Sequence, residues 1–129
     1  MSSSTQPNLD RLAAKHAQAI ISSTTGRKAS DVDNTITKAL GVLQENGIYA
    51  CFLYLLAKEK ENGGVVVEEM LSLLNELSFG WGKPDDNSAE KVLSHISDNV
   101  TLDLERLLLA KETLEQMLIY ARYGAKARD

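Results

Sequence analysis

Apolar residues return at helical spacing along most of the chain, and the densest stretch is Leu40–Lys60. Within it Ile48, Cys51, Phe52, Leu55 and Leu56 recur at spacings of three, four and one, the period of a helix and not the alternation of a half-buried strand. Tyr49 and Leu53 widen the apolar sector beyond one stripe, which predicts a helix central to the fold. Asn46-Gly47 interrupts the run with two poor helix formers, so a break or sharp kink is expected there.

The flanking segments obey the same period. A first helix is predicted from Leu9 to Ser23, with Leu12, Ala13, Ala17, Ile20 and Ile21 inward and Arg11, Lys15 and Gln18 on a polar face. Ser22–Lys28 reads as a loop. Ser30 with Asp33 then suggests a capping box for a helix that buries Val32, Ile36, Ala39, Leu40 and Leu43, with Thr35 and Lys38 facing out. Glu61–Gly64 reads as a helix stop, followed by a helix from about Val66 to Leu77 with Glu68, Glu69, Asn75 and Glu76 in solvent. Phe79–Asn87 is a loop pinned to the core by Phe79 and Trp81. A short helix over Ser88–Ser97 precedes a long one from about Thr101 to Ala125, whose inner region and margin take in Leu104, Leu107, Leu108, Lys111, Leu114, Met117, Leu118 and Ala121. The predicted architecture is all-α: a compact single-domain bundle of about five or six helices with a long C-terminal helix, residues 9–129, behind a flexible tail at residues 1–8.

Composition changes this picture only through charge and cysteine. At 129 residues, one domain can bury a core without staples. Cys51 stands alone on an apolar face, which excludes an intrachain disulfide and fits a reducing cytosol. Met1–Gln6 has neither the basic flank nor the apolar core of a secretory signal, and the apolar runs fall short of a membrane span, so a cytoplasmic location is expected. The net charge of -4 is uneven: residues 1–60 hold seven basic and five acidic side chains, residues 61–129 seven and thirteen. Such a balance argues against strong autonomous binding to nucleic acid but permits contact through one basic face.

Residues in a pattern suited to catalysis or metal binding are few. His16 and His95 belong to no zinc spacing, and Cys51 has no local base. Asp85-Asp86 lacks the alternating oxygen ligands of a calcium loop, and no glycine-rich phosphate motif with its lysine is present. No enzyme activity, cofactor or metal is expected. The basic residues Arg11, Lys15, Arg27, Lys28, Lys38, Lys58 and Lys60 gather in the less acidic half and could hold a phosphate backbone without reading bases, if the fold assembles them on one face.

Leu43–Lys58, LQENGIYACFLYLLAK, resembles the small-subunit family of Cmr-type, type III-B CRISPR effector complexes. The likeness lies in Asn46-Gly47, Phe52-Leu53 and Lys58, in the N-terminal helix with Lys15, Ala17 and Ile20, and in the closing Leu114–Arg122 segment. It implies an all-helical, non-catalytic structural subunit of an antiviral ribonucleoprotein. Such a subunit would stack in a filament against neighbouring copies and other effector subunits and steady guide and target RNA. Lys15 and Lys58 are the family-matched RNA-binding candidates; the other bases follow from charge placement. Many relatives look more basic than this chain. The rival expectation is a cytosolic helical protein–protein adaptor that contacts no nucleic acid.

Overall fold

The computed structural model describes residues 8–59 and 61–128. Among the described residues six α-helices form one bundle: α1 (Leu9–Ser23), α2 (Ala29–Asn46), α3 (Ile48–Lys58), α4 (Asn62–Glu76), α5 (Ala89–His95) and α6 (Leu104–Ala127), with a π-helical turn, Ile96–Val100, extending α5. The expected all-α single-domain bundle with a long last helix is the observed fold. Met1–Pro7, most of the expected tail, lie outside the described residues, and Asn8 is already part of the first helix start. Its side chain accepts a hydrogen bond from the Arg11 amide at 3.0 Å, satisfying a donor that no helical carbonyl could reach.

The longest helix organises the packing. At 24 residues α6 is about 36 Å long, and it packs most extensively on α1 and α2. Its buried face sets the large side chains Leu114, Met117 and Leu118 between small ones, Ala110 before and Ala121 and Ala125 after, and the small residues let neighbouring backbones approach. α1 and α6 run in the same sense, Asp10 bonding to the Tyr120 hydroxyl at one end and Thr24 accepting from Arg128 at the other.

The central stretch breaks where expected. Gly47 has φ of 96°, a conformation costly for a side chain but open to glycine, and its amide still bonds to the Leu43 carbonyl at 3.0 Å. The chain therefore turns without leaving α2's last carbonyls bare, and α3 starts at once. Ile48, Phe52 and Leu55 are fully buried, each worth about 1.5–3 kcal/mol relative to exposure. Tyr49 and Leu53, however, are exposed, so α3 is covered on one side and not enclosed.

Four local expectations are corrected. The Ser30–Asp33 capping box does not form, because α2 begins at Ala29 with Lys28 as its cap and no side-chain cap bond. Gly63-Gly64 opens α4 instead of stopping α3, since the Gly63 Cα lies against the Glu59 side chain and the Leu55 carbonyl, where only a residue without Cβ fits. Asp103, not Thr101, caps α6, accepting from the Arg106 amide at 3.0 Å. Thr35 is buried, its hydroxyl donating to Glu59 at 2.7 Å.

The loop after α4 is pinned as expected. Phe79 and Trp81 meet edge to face at 5.0 Å and pack against the core, and the Arg106 guanidinium lies 5.2 Å over the Phe79 ring. Ser78 adopts φ of 66° as the chain leaves α4.

Candidate functional site

The basic residues singled out in the sequence divide between the two ends of α4, about 21 Å apart for this 15-residue helix. Near its C-terminal end lie Arg11 and Lys15, exposed on α1 beside Gln18. Lys15 Nζ is 2.9 Å from Glu76 Oε1, so one of the two family-matched lysines is already paired.

At the N-terminal end of α4, Lys38 from α2 and Lys58 from α3 line a polar hollow of about 320 Å³ with Asp31, Asn34, Thr35, Glu59, Glu61 and Asn62. Arg27 joins this corner by donating to Asn62 Oδ1 at 2.9 Å, and Lys28 is exposed at the start of α2. Lys60 lies outside the described residues. Three acids share the hollow with two lysines, so its lining carries no excess positive charge. Glu59 is held by Thr35 at one oxygen and by the Tyr54 hydroxyl, 3.1 Å away, at the other. Partial burial and the bond to Glu59 both raise the Tyr54 pKa. The hollow is a braced polar corner, and no single face collects Arg11, Lys15, Arg27, Lys28, Lys38 and Lys58.

A buried histidine sits elsewhere. His16 follows the apolar stripe of α1 inward, and its ring is trapped between two acids of α4. Nδ1 lies 2.8 Å from Glu69 Oε1 and Nε2 lies 2.7 Å from Glu76 Oε2. Partial burial would raise the Glu76 pKa, but hydrogen bonds from Lys15 and His16, with their charge, outweigh it and hold the carboxyl below the ordinary carboxylate value. The two carboxylates take opposite edges of the ring, so the three groups do not converge on a point that a cation could occupy. Among the described residues no group of three or more His, Cys, Asp or Glu side chains is arranged to hold a metal ion. The apolar period of α4 alone predicts Glu69 and Glu76 in solvent, an expectation corrected here. Their seven-residue spacing, two helical turns on one face, was the available signal.

The other reactive side chains are subdued. Burial pushes the Cys51 thiol up to about 12, and its Sγ points at the Ala39 carbonyl, so thiolate chemistry is suppressed. Burial also lowers the His95 pKa against opposing contributions from the Gly82 backbone and Asp98.

Two apolar surfaces remain. A groove of about 580 Å³ runs between α1 and α6, floored by Ala14, Ala17, Ile21 and Gly124. At the other end of α6 the expectation that Leu104 and Leu108 belong to its inner region and margin is corrected: both are exposed, while Leu107 between them packs against the core. No described helix is long and apolar enough to cross a membrane.

No family model, no curated protein and no solved structure matches the chain. That result overturns the descriptors taken from the resemblance: CRISPR, antiviral defence, type III-B small subunit and RNA binding find support in no match and are withdrawn, while the all-helical description stands.

Proposed function

We propose that the chain is a non-catalytic structural subunit that works in the cytoplasm by docking on other proteins. The observation that carries this reading is the uncovered apolar surface on an otherwise completed bundle: Leu102, Leu104 and Leu108 at the start of α6, with Tyr49 and Leu53 on α3. A bundle that buries Phe52, Ile36, Met70 and Leu114 fully has no need of these side chains for its own core. Larger uncovered apolar patches mark surfaces that meet partners. Cys51 and the acids at His16 are spent on packing and ion pairing, which also favours a scaffold over a catalyst. The dispersal of the bases over both ends of α4 supports a protein partner more than a polyphosphate one.

Native purification of the tagged full chain from its own cells, with and without ribonuclease, tests the reading. The expected result is a stoichiometric protein complex that survives ribonuclease and is lost in the Leu104→Ser/Leu108→Ser variant. Recovery of the chain alone overturns the proposal. Recovery in a particle that collapses on ribonuclease treatment also overturns it, in favour of nucleic-acid contacts.

A further inference from the structure

The first turns of α6 carry apolar surface beside unpaired acid. Thr101 to Arg106 are all exposed, and Leu102, Leu104 and Leu108 are 77%, 68% and 54% exposed. Single exposed leucines are ordinary, but three within seven residues at one end of one helix make a patch. Helical geometry puts Leu104 and Leu108 on one strip, with Glu105 and Glu112, two turns apart, along its edge. Asp103 caps the leading end and Asp98 lies on the preceding turn.

The nearby cations are engaged. Arg106 lies over the Phe79 ring, and Lys111 Nζ is 3.7 Å from Glu115 Oε2. Among the described residues, Asp98, Asp103, Glu105 and Glu112 make no ion pair with a lysine or arginine.

We propose that this end of α6 docks a basic amphipathic helix of another protein, a deepening that rests on the docking reading above. The partner's apolar seam covers Leu104 and Leu108, and its lysines or arginines, spaced seven apart, face Glu105 and Glu112. The same charges disfavour a second copy of this chain. Strip-to-strip pairing brings two acidic edges together, and insertion into the α1–α6 groove meets Asp10, the one charged side chain among the described residues lining it.

The probes are two synthetic helical peptides with leucines in one register, one carrying lysines and the other glutamates at the remaining positions. Binding is read by fluorescence anisotropy against the full chain, Leu104→Ser/Leu108→Ser and Glu105→Lys/Glu112→Lys, with circular dichroism reporting helicity and sedimentation reporting self-association. The lysine peptide is expected to bind the native chain, to bind each double variant about tenfold or more weakly, and the charge-reversed variant is expected to favour the glutamate peptide. Equal binding of the lysine peptide to the native and leucine variants overturns the proposal, since bulk acidity alone then explains it. If the leucine variant loses helicity, an unchanged peptide preference in the charge-reversed variant overturns it equally. A dimer abolished by the leucine variant overturns the assignment of the partner and leaves the docking reading standing. No peptide binding together with a monomer at every concentration overturns the assignment, and isolation of the chain alone from its cells then removes the docking reading as well.

Discussion

His16 Nε2 lies 2.7 Å from Glu76 Oε2 across the seam between α1 and α4, while the opposite ring nitrogen meets Glu69. Each ring nitrogen therefore faces a carboxylate of α4. Lys15 binds the second oxygen of Glu76, so two adjacent residues of α1 share one acid of α4. Replacing His16 by leucine fits the apolar stripe yet leaves two acids without their donor. Because Glu76 is about one-third exposed, water recovers part of the loss. The expected destabilisation is about 1–3 kcal/mol in urea unfolding. His16→Gln, which can still donate to one acid, should cost less. Equal stability of His16→Leu and the native chain would remove the ion-paired seam from the account.

The same contact sets a pH dependence. The folded-state pKa of Glu76 lies below its ordinary 4.5, so the native state holds the charged form more strongly than the unfolded chain does. Its contribution is complete above about pH 4.5 and is lost as pH falls through the lower folded value. Stability measured by urea between neutral and acid pH should therefore drop less steeply in Glu76→Gln than in the native chain. A parallel pair of curves would contradict the assignment.

How far the sequence foretold this structure differs from feature to feature for identifiable reasons. The helix spanning Leu9–Ser23 and the break at Asn46-Gly47 were legible because apolar period and glycine freedom are local properties. The His16 cluster was not, since it depends on which helix meets α1, and the seven-residue spacing of Glu69 and Glu76 tells only that they share a face, not which neighbour it meets. Leu107-Leu108-Leu109 illustrates a second failure: three consecutive leucines point in different directions around a helix axis, and only the placement of the neighbouring helices decides that Leu107 meets the core and Leu108 faces out. The dispersal of Arg11, Lys15, Lys38 and Lys58 was likewise invisible, because spacing along a chain does not tell which end of α4 each residue will meet.

His95 provides an opposite pH test. Burial lowers its folded-state pKa from the ordinary 6.5, so the unfolded chain takes up the proton first. Stability is expected to decline as pH falls below about 6.5, and the penalty saturates once pH passes the lower folded value. His95→Gln cannot take up that proton and should flatten this part of the curve. Imidazole signals followed by NMR should show the folded His95 titrating below the unfolded value, and titration above it would refute the burial argument.

Cys51 should behave as a core side chain. With its thiol pushed up to about 12 and no exposed surface, reaction with a thiol reagent at neutral pH requires the bundle to open. Labelling followed by mass spectrometry is expected to be slow in the native chain and to accelerate in step with urea-induced unfolding. Fast labelling without urea would mean that α3 separates from α2 in a local opening.

The adjacent glycines at the start of α4 give the sharpest contrast, because they share a helix turn and differ in what surrounds them. A Cβ on Gly63 would lie 2.7 Å from the Glu59 Cβ and 3.1 Å from the Leu55 carbonyl oxygen, both fixed by backbone and not by a pliable side-chain end. Gly63→Ala should therefore push α4 from the end of α3 and cost about 1–3 kcal/mol. A Cβ on Gly64 meets nothing within 4 Å, and alanine there removes unfolded-state freedom without strain. Gly64→Ala should stabilise the fold by about 0.4–1 kcal/mol. Thermal and urea unfolding of the two variants side by side must move in opposite directions; a shift of the same sign in both would show that α4 does not start against Glu59 and Leu55.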